Sequence, residues 1–392
     1  MKYINLDHIS SNPLLPEVKQ AMIAAIHHDY HNPSSQHQAG EEAAAVLEKA
    51  REQVAGLINA NSPKEIVFTS GGTESDNHAV KGVAMANADK GKHIVTTNIE
   101  HNAVIRSLRR LKSDGFTVTS LSVDDKGRVN PQDVAEAITK DTILISVMHS
   151  NNETGTIQPV EEIARIAREK KIIFHIDAVD SVGIVPFDVK AIGADLVSFA
   201  SNTFYGPTGV GGLYVRRGVK IFPILDGGVQ ENNKRAGTEN LLGIVGMGQA
   251  AEIAKRDIHT RYAYLKGLKD KFLRELPDVL DEILINTHPE HSLPHLVSAS
   301  IKYVEGESVM LMLDDEGIGV STRSACATGS LRASHVLLSI GLSHEDAQGT
   351  LVIAFGIDNT AEDVSRFLKS LKTVVTTLRD ISPLYKKAAG KG

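Results

Sequence analysis

The sequence predicts an α/β protein in two parts, a large domain around a mostly parallel sheet and a smaller α+β domain. Three observations lead there. Strand-like and helix-like segments alternate from about residue 45 to 255, the pattern of βα units around a parallel sheet. Past His288 the segments become shorter and mix strand and helix without that alternation. At 392 residues the chain exceeds one average domain. The expected boundaries are 16–255 for the large domain, and 1–15 with 256–392 for the smaller one.

Taken in order, the strands of the large part are expected at 66–69, 93–96, 117–121, 142–148, 172–176, 195–199 and 212–215. Their apolar runs are nearly continuous, as suits strands covered on both faces. Apolar residues recur with helical spacing over 41–58, 131–137, 160–170 and 256–275. The last of these, with the residues from about 250, is the natural bridge between the two parts. In the smaller part the expected strands are 296–301, 319–321 and 350–354, and the expected helices 307–315 and 361–378.

Composition removes several classes of function. Hydrophobic residues at 42% and charged residues at 23% supply a core and exclude disorder as the main state. A net charge of −6 with no clustered basic surface argues against nucleic-acid binding; the one lysine cluster, KKAAGKG at the end, reads as a solvated tail. Neither a signal sequence nor an apolar run of roughly 18 residues is present, so a cytoplasmic protein with no membrane role is expected. The single cysteine, Cys326, excludes an internal disulfide and a multi-cysteine metal site. Its neighbours in STRSACATGSLRASHVL are small and polar, which suits an exposed thiol better than buried filler.

Most candidate site residues follow strands. In TSGGTESDNHAV, Thr73 stands where a strand gives way to a helix, a place where backbone N–H groups can hold a phosphate or simply be capped. His101 in IEHNAV, Asn152 in HSNNETG, and Asp177 and Asp180 in FHIDAVDSVG also come at or beyond strand ends, where α/β sites gather. Capping and turn roles explain His101 and Asn152 equally well. The segment DLVSFASNTFYGPTGVGGLYVRR runs from strand through a Gly/Pro loop to strand, with Thr203 at its turn. QENNKRAGTEN carries Arg235 and Thr238.

Together these segments resemble the NifS/IscS-type cysteine desulfurases, class-V-aminotransferase-like enzymes of pyridoxal phosphate (PLP) fold type I, and the likeness runs along nearly the whole chain. The resemblance implies a fold-type I architecture, a homodimer, and an iron–sulfur scaffold or other sulfur-acceptor protein as partner. It implies phosphate contacts from Thr73 and, across the dimer, Thr238. It further implies His101 stacked on the cofactor ring, Asn152 beside it, Asp177 on the pyridine nitrogen, and Cys326 as the persulfide-forming thiol. His101 and Cys326 are thus the expected catalytic residues.

The chain departs from that pattern at chemically decisive points. The family's Ser-x-His-Lys-x-Tyr-Gly-Pro-Lys-Gly loop has Ala200, Asn202, Thr203 and Thr208 in place of Ser, His and the two lysines, while Tyr205, Gly206, Pro207 and Gly209 match. Asp180 replaces a glutamine near the cofactor hydroxyl, and Ile357 replaces the arginine that clamps the substrate carboxylate. Thr203 offers no amine for a Schiff base, so PLP is expected to be non-covalently held or absent. The first expectation is therefore a sulfur carrier, with Cys326 loaded from sulfide, a persulfide or an active desulfurase, and with self-sufficient desulfurase activity lost. A non-catalytic partner is a second reading, or a pocket repurposed for PLP, another phosphate ligand, or a metal on His101, Asp177 and Asp180; a third is rescue by Lys234 or Lys302. No metal site is assigned from the sequence.

Overall fold

The structure is a computed structural model in which residues 2–28, 31–322 and 333–388 are described. Twelve strands form three sheets among these residues: β1 (Ile4–Asn5), β2 (Ile66–Thr69), β3 (His93–Thr97), β4 (Thr117–Leu121), β5 (Thr142–Met148), β6 (Ile173–Asp177), β7 (Leu196–Ala200), β8 (Gly211–Val215), β9 (Ile283–Ile285), β10 (Leu296–Ile301), β11 (Ile318–Gly319) and β12 (Thr350–Ala354). The main sheet has seven strands in the order β2-β8-β7-β6-β5-β3-β4. Only β8 runs against the others, pairing antiparallel with β2 and β7. The mostly parallel expectation holds, with one reversed strand allowed by the short loop that turns β7 back into β8.

Burial follows position in the sheet. The central strands β5, β7 and β8 are buried along their whole length, because helices cover both faces. The edge strand β4 keeps Thr117 and Ser120 exposed and carries three hydroxyl residues, Thr117, Thr119 and Ser120, where a nearly continuous apolar run was expected.

The helices differ from expectation in extent and in number, Asn102–Ser113 being among those not expected. The bridge helix is Leu241–Glu275, 35 residues long, and starts well before residue 256. Its first half, LLGIVGMGQAAEIA, was obscured by glycines, which weaken a helical reading. Here they permit close packing: a Cβ on Gly246 would lie 2.8 Å from Met22 Sδ, and one on Gly248 2.8 Å from Ala50 Cα. The same helix places Ile244, Met247 and Ala250 in the core of the main sheet, and Leu265, Leu268 and Phe272 in a second core. The second difference is Pro16–His27, a helix not anticipated at all, which Pro16 opens at its first position.

The second core lies under the three-stranded sheet β12-β10-β9 and the helices Gly306–Asp315 and Ala361–Ile381. The latter is stopped by Pro383 and opened by a capping box, Thr360 with Asp363. The first residues of the chain join this second part: β1 pairs in parallel with β11, and Asp7 bridges to Ala354. From there the chain crosses to the main sheet, where Asn12 Nδ2 donates to the Thr203 carbonyl at 2.8 Å.

Candidate active site

The carboxyl ends of β3, β5, β6 and β7 open on one side of the main sheet, and a cavity of about 340 Å³ sits there. The connection from β4 to β5 passes back across β3, the reversal of strand order at which α/β folds leave a crevice. Thr73, His101, Asn152, Asp177, Asp180 and Thr203 all line this cavity, with Ala200 and Asn202 beside Thr203 and with Ile9 and Ser10 from the crossing N-terminal segment. Six residues spread over 130 positions of sequence are thus one site. Thr238 is exposed and is not part of this wall; its neighbour Arg235 instead pairs with Glu74 at 2.9 Å, next to Thr73. Cys326 falls outside the described residues.

Each lining side chain is set by its element. Thr73 opens the helical run that begins at Gly72, and a Cβ on Gly72 would meet Val179 Cγ2 at 2.5 Å, so the loop after β2 can lie against the loop after β6 only with glycine there. His101 caps helix Asn102–Ser113, its Nδ1 accepting from the Ala103 N–H at 3.2 Å. The capping role and a place in the cavity wall are both present. Asp177 is the last residue of β6, one position earlier relative to its strand than expected, and its Oδ1 accepts from the Val179 N–H at 3.1 Å. Thr203 lies in a short 3-10 turn and is buried; its hydroxyl donates to the Ala200 carbonyl at 2.8 Å. The turn closes on Tyr205, whose φ of 69° is left-handed, and Tyr205 Oη accepts from the Ile357 N–H at 2.9 Å.

Two acidic residues belong to this site that the sequence reading did not name. Asp76 lines the cavity and is 1% exposed. It stands three residues after Thr73 on the same helical run, and that spacing was the signal that could have found it. Glu100 is fully buried next to His101; its Oε1 accepts from the Thr97 hydroxyl at 2.6 Å and the Met148 N–H at 3.2 Å, and its Oε2 has no hydrogen-bond partner among the described residues.

Burial and crowding of like charges hold these acids protonated beyond their usual range. Desolvation, then the nearby Asp177 carboxylate, pushes Asp76 well up. Desolvation also raises Asp177, against the pull of His101. Glu100 is pushed up to about 8, again chiefly by burial. Behind them His175, buried in full, is driven down to about 3, and it bonds Ser146 and Ser198 at 2.9 Å each as a neutral ring.

The wall can be tested against the PLP that the resemblance implies. Asp177 suits a pyridine nitrogen and His101 a ring neighbour. The set does not fit a cofactor held as a Schiff base: among the described residues lining the cavity there is neither lysine nor arginine. Three carboxylates, Asp76, Asp177 and Asp180, face the space that a phosphorylated, anionic cofactor would fill. Lys302 pairs with Glu282 at 3.9 Å, and neither it nor Lys234 is in the wall.

Comparison with known proteins agrees with the fold and with the sequence likeness. The family described as aminotransferase class-V matches residues 4–367. The chain is 47% identical over 384 residues to a protein named cysteine desulfurase IscS from Dictyoglomus turgidum, covering 98% of this chain and 97% of the relative. A protein of the same name from Methanosarcina thermophila is 46% identical over 98% of this chain and 95% of its own. A solved structure called a NifS-like protein superposes with a TM-score of 0.90 at 37% identity, covering 96% of this chain and all of that one. By fold, by these matches and by the strand-end residues that line one cavity, this chain belongs to the IscS/NifS cysteine desulfurase family within the class-V aminotransferases.

Proposed function

We propose that this protein carries sulfur on Cys326 and hands it to an acceptor protein for iron–sulfur cluster or thio-cofactor assembly, without extracting sulfur from free cysteine by itself. The observation that carries the reading is the cavity wall, in which Thr203 is tied to the Ala200 carbonyl and no amine lines the space among the described residues. Abstraction of a substrate proton through an imine needs such an amine. Ile357 supplies only a backbone N–H, already given to Tyr205, where a carboxylate clamp would need a guanidinium. Relatives named as cysteine desulfurases support the sulfur side of the reading.

In this reading the Cys326 thiolate attacks the outer sulfur of a donor persulfide. The donor leaves as a thiol, Cys326 becomes the persulfide, and no external oxidant enters. The protein works as a homodimer in the cytoplasm, with residues 16–255 forming the domain around the cavity, and residues 1–15 with 256–392 the domain that bears the thiol loop. The test is transfer of labelled sulfur from a small-molecule persulfide, through this protein, to an iron–sulfur scaffold protein. Cys326→Ala should abolish it, and free cysteine should not replace the persulfide as donor. Unchanged transfer by the alanine variant, or transfer from cysteine with PLP alone, refutes the reading.

A further inference from the structure

At the end of the main sheet away from the candidate active site, a second cavity of about 590 Å³ lies where β6 and β7 begin and β8 ends. Small-molecule sites run from about 300 to about 1,000 Å³. Four cations line this one: Arg168 and Lys171 at the end of helix Val160–Lys170, Lys190 in the short helix Val189–Ile192, and Arg216 just past β8. The wall holds one carboxylate among the described residues, Asp195, and it is already engaged. Its Oδ1 takes the Arg216 guanidinium at 2.7 Å, and its Oδ2 accepts from the Phe174 N–H at 2.9 Å. Asp188 and Glu65 stand beside the wall but outside it, each bonded to backbone N–H groups or Asn59 and to none of these cations. Arg168 and Lys171 thus have no anionic partner among the described residues, and Lys190 has only the neutral Asn59 Oδ1 at 3.2 Å.

A helix C-terminus attracts cations through its dipole alone, which accounts for the sign of Arg168 and Lys171. Two further observations are not explained that way. The Arg168 guanidinium is seated in the space that a side chain on Gly193 would fill, Gly193 being the left-handed residue, φ 81°, that ends helix Val189–Ile192. Tyr214 is 1% exposed and lines the cavity, and its hydroxyl makes no hydrogen bond among the described residues. A buried phenol ordinarily finds a partner. Here the space in front of it is ringed by cations, so the missing partner is an anionic acceptor.

We propose that this cavity binds an organic diphosphate, a small molecule of the size and charge of a nucleoside diphosphate. Charge sets the number of phosphoryl groups. A phosphate monoester carries about two negative charges at neutral pH and a second phosphoryl group adds about one more, which matches the three cations left without an anion. The planar fork of Arg168 suits two phosphate oxygens at once, Lys171 and Lys190 add point charges, and the Tyr214 hydroxyl donates to a further oxygen. Ala164, Ile172 and Val189 leave an apolar surface for the organic part. The site is distinct from the cavity lined by His101 and Asp177, and it does not rest on sulfur carriage by Cys326.

The experiment titrates full-length protein calorimetrically with ADP, without magnesium, which would mask the phosphate charge. Inorganic pyrophosphate and adenosine serve as the charge-only and body-only comparisons. One ADP per chain is expected, with pyrophosphate weaker and adenosine at least about 100-fold weaker. Arg168→Gln and Lys190→Gln should each weaken ADP by at least about 10-fold, and Tyr214→Phe by about 5-fold. Lys170→Gln, on the same helix as Arg168 but outside the wall, should leave it unchanged. Arg168 and Lys190 are exposed, so unchanged melting of their variants shows that the loss is not unfolding. Absence of saturation by about 1 mM ADP overturns the proposal, as does adenosine binding as tightly as ADP. Equal weakening by Lys170→Gln also overturns it, since that is diffuse attraction and not a site. So does an equivalent that survives the R168Q/K190Q double variant and is displaced by PLP, which would put the ligand in the active-site cavity.

Discussion

Glu100→Gln should stabilise the protein, and the gain should depend on pH in a defined way. Burial pushes the Glu100 carboxyl from 4.5 to about 8, so the folded protein holds a proton that the unfolded chain releases. Below about pH 4.5 both states are protonated and the residue costs nothing. Between about pH 4.5 and 8 the folded state is penalised by about 1.4 kcal/mol per pH unit, and the penalty levels off at on the order of 4–5 kcal/mol above pH 8. Glutamine removes the charge while its Oε1 keeps the bonds from Thr97 and Met148. Equilibrium urea unfolding of both proteins at one concentration, at several pH values from about 5 to about 9, reads the difference directly. The variant's advantage should be small at pH 5, grow steadily, and flatten above pH 8. A difference that does not change with pH would refute the account of Glu100 as an acid kept neutral by burial.

Three other substitutions probe separate parts of the structure. Thr203→Lys should give the protein a borohydride-stable adduct with added PLP, read by absorbance and mass, where the native chain gives none; an adduct on the native chain would mean that another amine reaches the site. Glu231→Gln should cost about 3–5 kcal/mol, measured by urea unfolding, because it strips the buried partner from Arg51, held at 2.7 and 2.8 Å; a loss under about 1 kcal/mol would contradict that. Gly183→Ala should cost more than about 2 kcal/mol and lower the melting temperature by several degrees. Gly183 has a φ of 78°, and its new Cβ would lie 2.4 Å from Phe204 Cβ, directly beside Thr203.

Much of the sheet was legible because its signals are local. Ile66–Thr69, Thr117–Leu121, Thr142–Met148 and Leu296–Ile301 are apolar or β-branched runs bounded by turns, and they stand where expected. The start of helix Leu241–Glu275 was not legible, because glycine lowers helical propensity while tertiary contact with Ala50 and Met22 rewards it. The reversed β8 depends on how the Tyr205–Gly209 loop turns, which residue identity alone does not state. In the site, Thr73, His101, Asn152, Asp177, Asp180 and Thr203 were picked out one by one, and only the fold brings them to one wall. Asp76 escaped because a lone aspartate in a polar helix start looks like a solvated face; its burial against His175 and Ser198 is made by strands a hundred residues later.

The two-residue ladder of β1 with β11 has a mechanical consequence. Because the pairing is parallel, both strands leave the ladder from the same end. One continues through Leu6, whose N–H is fastened to the Gly319 carbonyl at 2.7 Å, to Ile9, Ser10 and Asn12 at the rim of the cavity. The other continues through Ser321, bridged to Val352, into the segment that carries Cys326. The two outgoing chains share one anchor, so the placing of the Ile9–Asn12 crossing at the cavity rim depends on where Ile318 and Gly319 sit. Loosening of that anchor would register as faster hydrogen exchange of the Leu6 amide, whose one bond there is to the Gly319 carbonyl.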